Sequence, residues 1–299
     1  MGGIEAVVGL PDPRLRPFVD RYLGYREPAS LPLVRREVAG AFVVLVLGWG
    51  RPADVVDPRA AKRGAYGVDS FVAGPFDGHC TTSTLGMGLG VQLVLSPPAP
   101  AGSSTYRSAS WPTGPCRSAT CRTGGWTGCA AGLADAPDWP RRFAPLDVAL
   151  GARLAGSAPL DPTLGRAWRR LAGTGGRIGV GDLADELGWS SRHLAVRFRA
   201  ELGLTPKATA RLLRFGRAYA TLARDLVPRP GTERGGPSDD SGGHPDRGEN
   251  APADPGGWAE LAARCGYYDQ SHLIRDFREF AGTTPAALAR SGSLSSNPG

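Results

Sequence analysis

The spacing of apolar residues divides the chain into a β-rich first third and a helical second half. Short apolar runs at 38–49, 70–73 and 91–95 are bounded by Gly, Pro and Asp, a pattern that predicts strands of a small barrel or sandwich. Residues 13–25 instead carry apolar side chains at helical spacing and predict a short amphipathic helix. We therefore expect residues 1–98 to form a β-rich domain.

Both periodicities disappear over residues 99–138. Ser, Thr, Pro, Gly, Cys and Trp dominate there, and so little apolar surface predicts an irregular, poorly ordered segment. Composition changes abruptly at both edges of 97–132. A frame-shifted reading of the gene is therefore a hypothesis, which resequencing of these codons would test.

Helical spacing returns at Trp139. Apolar residues recur every three or four positions over 139–176 and predict a helical connector. The connector ends in four residues, 173–176, of which three are Gly. Such a composition is typical of a hinge before the next domain.

The C-terminal third contains one pattern twice. Residues 183–206 read LADELGWSSRHLAVRFRAELGLTP, and residues 261–285 read LAARCGYYDQSHLIRDFREFAGTTP. The first halves of the copies match at an offset of 78 residues and the second halves at 79. The extra residue therefore falls in a turn, where a repeat tolerates it. Each copy predicts a short helix, a turn with Gly and a second helix.

Capping and core residues recur at equivalent positions of the two copies. A Gly stands where the first helix ends, and Ser or Asp stands where the second helix needs an N-cap. A Leu and a Phe four residues apart then face the core, because residues at that spacing share one helix face. The equivalent pairs are Gly188 and Gly266, Ser190 and Asp269, Leu194 and Leu273, and Phe198 and Phe277.

The other positions near the start of each second helix are candidates for DNA contact. Arg, Gln, Ser and His at the N-terminus of a helix are residue types that reach base edges in a major groove. A helical hairpin duplicated only for packing is the alternative, and the repeated caps disfavour it. The candidates are Ser191, Arg192, Ala195, Val196 and Arg199 in the first copy, and Gln270, Ser271, His272, Ile274 and Arg275 in the second.

With these two copies and the intervening stretch ARLLRFGRAY, residues 177–290 resemble the AraC/XylS family of bacterial transcription regulators. The resemblance implies an α+β protein: a β-rich sensor-like domain followed by an all-α DNA-binding domain with two helix-turn-helix units. It implies a long helix at about 207–226 that joins the units, each of which inserts its second helix into promoter DNA. It also implies RNA polymerase as a partner and a small-molecule effector, and it leaves a homodimer open.

The first copy departs from the family pattern. Family base-contacting positions fall on Arg192, Ala195 and Val196, where polar residues or Arg are common. Ala195 and Val196 cannot hydrogen-bond bases, although they can contact thymine methyl groups. We therefore expect the first copy to recognise sequence mainly through Arg192.

Residues 228–257 interrupt the resemblance with an insert rich in Pro, Gly and acidic residues. This composition predicts a disordered loop. The entropic cost of closing a loop grows only with the logarithm of its length, so we expect the fold to survive the insert. Residues 291–299 are expected to form a flexible tail.

Composition changes this interpretation little. A length of 299 residues suffices for two domains, and a net charge of +7 favours a polyanionic partner. Codon bias in a GC-rich genome accounts for much of the arginine content, since only two residues, Lys62 and Lys207, are lysines. No apolar run is long enough to span a membrane and no signal peptide is visible, so we expect a cytoplasmic protein.

The cysteines do not predict a disulfide framework or a zinc module. Their number is five, which is odd, and the three between residues 116 and 129 lack paired C-x-x-C spacing. His79 beside Cys80 leaves open a metal site or a reactive thiol in the β-rich domain. Cys265 is expected to be a small buried hydrophobic residue.

Enzymatic chemistry has no motif in this sequence. G-x-S-x-G, H-E-x-x-H and the P-loop pattern are all absent. The alternating Gly86, Gly88 and Gly90 precede no helical pattern, so close strand packing or a bulge explains them better than a dinucleotide site. We predict no catalytic residue, metal or cofactor. A pure protein-interaction module remains an alternative, and salt-dependent DNA binding would distinguish the two.

Overall fold

The computed structural model describes residues 4–56, 65–96, 115–117, 126–156, 160–226 and 257–291. An antiparallel β domain precedes an all-helical region, as the predicted α+β class requires. The predictions for the insert and the tail concern residues outside these ranges, except that Gly257 and Ser291 are helical. Most of the irregular segment also lies outside them. None of the described helices is long and apolar enough to cross a membrane.

Eight strands form one sheet among the described residues, in the order β1-β2-β7-β3-β6-β8. Strand β7 is a central strand of the sheet: β2 pairs along one of its edges, while β3 and β4 pair with different halves of the other edge. The strands are β1 Glu5–Gly9, β2 Val19–Glu37, β3 Val43–Gly48, β4 Ala53–Val56, β5 Ala65–Val68, β6 Phe71–Ala73, β7 Cys80–Leu95 and β8 Pro115–Arg117.

The predicted helix at 13–25 is wrong. Residues 13–18 form turns, and β2 begins at Val19. A register shift between Val19 and Arg21 interrupts the pairing with β7. This irregularity places Val19 and Tyr22, three residues apart, in the same core, and so it imitates the spacing of a helix.

Two helices, α1 Thr127–Asp135 and α2 Trp139–Ala155, cover one face of the sheet. Tyr22 lies in this layer and donates a hydrogen bond from its hydroxyl to Asp147 of α2 at 2.8 Å. The helical α1 corrects the expectation that 99–138 is irregular throughout. Its Leu133 is fully buried against the sheet, so tertiary packing stabilises a segment that is weakly patterned on its own.

The remaining helices are α3 Pro162–Gly173, α4 Val180–Glu186, α5 Ser191–Leu202, α6 Pro206–Leu226, α7 Gly257–Cys265, α8 Gln270–Ala281 and α9 Pro285–Ser291. We call α4 and α5 the first unit, and α7 and α8 the second unit. Helix α6 joins them, and its bounds agree with the predicted connecting helix. Each unit has its own apolar core, and α6 contributes to both.

The two helices of the predicted connector, 139–176, pack into different cores. Helix α2 packs its apolar side against the sheet, whereas α3 packs into the core of the first unit through Leu164, Trp168 and Leu171. The glycines after α3 form a fixed turn rather than a hinge. A Cβ on Gly176, whose φ is +75°, would lie 2.1 Å from the carbonyl oxygen of Ala210, so only glycine allows this close approach.

Candidate DNA interface

The two units begin their second helices with the same local structure. Gly188 and Gly266 adopt left-handed φ angles of +67° and +82° after the first helices, as C-terminal capping glycines do. The Ser190 hydroxyl then accepts a hydrogen bond from the backbone N–H of His193 at 3.1 Å, and the Asp269 carboxylate accepts one from His272 at 2.7 Å. The predicted caps are confirmed.

Buried side chains fix the rotation of each second helix. Leu194 and Phe198 of α5 have no exposed surface, and neither have Leu273 and Phe277 of α8. Because these residues point inward, the opposite face near each N-terminus must point outward. None of the ten candidate residues is buried: seven are exposed, and Ala195, His272 and Ile274 are half-buried.

An aromatic contact, which the sequence analysis missed, also recurs in both units. The edge of Trp189 meets the ring of His193 at 4.6 Å between centroids, and Tyr267 meets His272 in the same way at 5.4 Å. The sequence contains a signal for this contact, since both copies have an aromatic residue in the turn and a histidine at the third position of the second helix. The contact with Tyr267 restricts the rotamer of His272.

Exposed apolar side chains accompany the polar candidates. Val196 on α5 is 60% exposed, and Tyr268 in the turn before α8 is 95% exposed. Tyr268 is the extra residue of the second copy. Val196 and Tyr268 are single exposed side chains, and such residues also occur elsewhere on the molecule, as at Leu31 and Val148, so they do not by themselves mark a binding surface.

Helix α6 fixes α8 through a charged cluster. The guanidinium of Arg211 lies 2.6 Å from Asp276 and 2.7 Å from Glu279, and it stacks over the ring of Phe280. Asp276 is fully buried, so its pairing with Arg211 matters for stability. Arg214, one turn further along α6, donates to the carbonyl of Gly176 and lies over Tyr267.

The β domain contacts the second unit at its C-terminal end. The backbone N–H of Ala39 donates to the Phe280 carbonyl at 2.9 Å. Arg36 donates to the Gly282 carbonyl at 3.3 Å, and Nδ1 of His79 lies 3.3 Å from the Glu279 carbonyl. Residues Val38 and Ala39 are buried in the same core as α8.

The face of the sheet opposite α1 and α2 carries a cavity of about 130 Å³ that is partly open to solvent. Side chains at alternate positions line it, as the period of a strand requires. Arg35 donates to Glu27 at 2.5 Å at its polar side. Burial and the Glu27 carboxylate raise the pKa of the Tyr25 hydroxyl. Gly90 leaves the space that this phenol occupies, which confirms close packing at that glycine.

The suggested pairing of His79 with Cys80 does not form one site. His79 contacts the end of α8, whereas Cys80 lines the cavity. Within the described ranges, no group of three or more His, Cys, Asp or Glu side chains is arranged to hold a metal ion. Cys265 is buried as predicted, at 3% exposure, and burial raises the pKa of its thiol.

Comparisons with known proteins give similarity of architecture alone. No protein-family model matches the chain, and no curated protein matches its sequence. Solved structures of ToxT from Vibrio cholerae align with most of the chain at low identity. A P21 crystal form is 8% identical, over 97% of this chain and 98% of ToxT, with a TM-score of 0.43. ToxT bound to an unsaturated fatty acid is 9% identical, over 90% and 94% of the two chains, with the same TM-score of 0.43. At these values no residue role or ligand can be transferred to this chain.

Proposed function

We propose that this protein is a sequence-specific DNA-binding transcription regulator in which α5 and α8 enter adjacent major-groove segments of a promoter. The observation that carries the proposal is the repeated capped helix, with a buried Leu and Phe on one side and unburied Arg, Ser, Gln and His on the other. Helix-turn-helix proteins place the N-terminal residues of the second helix against base edges.

The two helices are proposed to contribute differently. Arg275 of α8 stands among Gln270, Ser271 and His272, which offer several hydrogen bonds to base edges. Arg192 of α5 is accompanied by the apolar Ala195 and Val196. We therefore assign hydrogen-bonded recognition in the first half of the DNA site mainly to Arg192.

The β domain supports the second part of the proposal, the binding of a small-molecule effector. Its cavity of about 130 Å³ is close to the size of an engineered cavity that holds benzene, about 150 Å³. An apolar wall and an Arg35–Glu27 pair suit a small molecule with both apolar and polar parts. Promoter DNA, RNA polymerase and a bacterial cytoplasm are the partners and compartment that this function implies.

Selection of bound sites from a random DNA pool tests the proposal. Arg192→Ala and Arg275→Ala should each remove preference at one or two base pairs, in opposite halves of the site. Each substitution should cost about 1–3 kcal/mol of discrimination. Arg278→Ala is the matched control. This substitution removes the same charge, but from an exposed arginine in the last turn of α8.

Unchanged base preferences in both Arg192→Ala and Arg275→Ala would overturn the assignment of α5 and α8. Wild-type protein that binds no DNA, or binds without a response to salt, would instead favour a protein-interaction module.

A further inference from the structure

The C-terminal end of α8 is completed by residues from the other domain. The last four carbonyl groups of a helix have no partner within the helix. In α8, the carbonyls of Glu279 and Phe280 face His79 and the N–H of Ala39. The Gly282 carbonyl, just beyond the helix, accepts from Arg36. A guanidinium at this end also interacts favourably with the helix dipole.

Apolar packing makes this contact specific. Val38 and Ala39 are 7% and 1% exposed and lie in one core with Leu273, Phe277 and Phe280. Gly282 allows the approach of the imidazole, because a Cβ there would lie 2.6 Å from Nε2 of His79. The φ of +63° at Gly282 independently favours glycine.

Contacts with the β domain at the C-terminal end of α8 act together with the Arg211 cluster of α6 in setting where the other end of the helix lies. The helix has 12 residues and is therefore about 18 Å long, with a continuous hydrogen-bonded backbone. Its N-terminal turns carry the candidate base-contacting residues. A tilt fixed at Glu279 and Phe280 is thus transmitted to Arg275 and Gln270.

The first unit is fixed by other means. Arg197 of α5 pairs with Asp161, the N-cap of α3, at 3.0 Å. The α5 side chains Leu194 and Phe198 share a core with α3. Ala41 of the β domain packs against the cores of both units, whereas the buried Val38 and Ala39 lie in the core of the second unit alone. A change at residues 36–39 and 79 should therefore affect α8 more than α5.

We propose that Arg36, Ala39 and His79 are positioning residues for recognition by α8, so that the β domain sets affinity for the second half of the DNA site. This inference rests on the proposed function and adds a regulated contact to it. The positioning residues lie beside the effector cavity in the sequence, since Arg35, Glu37 and Cys80 line it. An occupant of the cavity thus lies one or two residues from the support of α8.

The test uses the full-length protein and three probes: the selected DNA site, that site with its second half scrambled, and that site with its first half scrambled. The double variant Arg36→Ala and His79→Ala should lose about tenfold in affinity for the intact site. The reason is that α8 is correctly placed in a smaller fraction of the protein molecules. Its affinity for the probe that retains only the first half should stay at the wild-type value. Arg26→Ala, an exposed arginine of β2, is the matched control.

A conservative variant separates positioning from general stability. His79→Asn retains a side-chain N–H donor near the position of Nδ1 and should restore much of the affinity for the intact site. Amide hydrogen exchange gives a second measurement that needs no DNA: exchange should accelerate in α8 and stay unchanged in α5 of the double variant.

An equal loss of affinity on the probes for both halves, or equal acceleration of exchange in α5 and α8, would overturn the inference. Wild-type affinity of the double variant for the intact site would overturn it as well. These outcomes differ from a failure of the proposed function, in which the wild-type protein selects no site at all.

Discussion

The two helix-turn-helix units have the same internal plan and different supports. Both have a left-handed glycine, a side-chain N-cap, an inward Leu and Phe, and an aromatic ring against a histidine. The first unit completes its core with α3, which precedes it in the chain. The second unit completes its core with residues 38–39 of the β domain. The two copies of the motif thus differ in their supports, which come from their neighbours rather than from their own pattern.

Removal of α3 should have the largest effect and should separate the units. A fragment of residues 160–299 retains Leu164, Trp168 and Leu171, whereas a fragment of residues 176–299 loses them. Each large buried side chain contributes about 2–5 kcal/mol, and a small domain has only about 5–15 kcal/mol in total. The shorter fragment should therefore lose protection of α5 in hydrogen exchange, while the longer one keeps it. Equal protection of α5 in both fragments would show that α3 is dispensable.

Substitution of Arg211 should have the next largest effect, and mainly on the second unit. Arg211→Met leaves the carboxylate of Asp276 buried without its cation, which costs about 3–5 kcal/mol. Chemical denaturation should report this loss. Arg170→Met is the control, because its partner Glu186 is exposed and little stability should be lost. The double change Arg211→Met and Asp276→Leu should recover stability; failure to recover would mean that packing, not charge, is responsible.

The two N-caps should contribute smaller and similar amounts. Ser190→Ala and Asp269→Ala each remove the acceptor for a backbone N–H, and each should cost about 1 kcal/mol. Hydrogen exchange should accelerate in α5 for the first variant and in α8 for the second. Ser191→Ala, at an exposed position next to the cap, should change neither. Loss of protection in both helices from one cap would contradict their independence.

The smallest effect concerns a rate rather than stability. Cys265 takes the place of Leu187 of the first unit, so its thiol reports on the second unit alone. Burial raises the pKa of this thiol, so less thiolate is present at neutral pH and alkylation should be slower than for an unfolded cysteine. Peptide mapping of residue 265 should show slow modification, faster in the variant with Arg36→Ala and His79→Ala. Rapid modification of the wild type would show that the second unit opens readily.

Local signals explain what the sequence predicted well. Caps such as Ser190 and Asp269, and the pair of Leu273 and Phe277, depend on neighbours within one or two helical turns. Their repetition marks the units and places α6 between them. The exposed positions of α5 and α8 follow from the same pattern, while their contact with DNA stays a prediction.

Long-range contacts explain what the sequence did not predict. The spacing of Val19 and Tyr22 imitates a helix because β2 has an irregularity in its register with β7. The hydrogen bond between Ala39 and Phe280 joins two distant segments, and the periodicity of neither segment predicts it. The split of the connector between two cores likewise depends on which surface each helix meets, and amphipathic spacing is the same in both cases.

The contact between Arg36 and Gly282 joins residues 246 positions apart, and this separation has a consequence for synthesis. At about 5–20 residues per second, the segment that supports α8 leaves the ribosome roughly 10–50 s before α8 exists. The nascent β domain therefore has time to fold and to serve as a template on which the last helices close. A chain that stops within the insert would contain the first unit but no second unit. The surface of the β domain around Arg36, Ala39 and His79 would then remain uncovered.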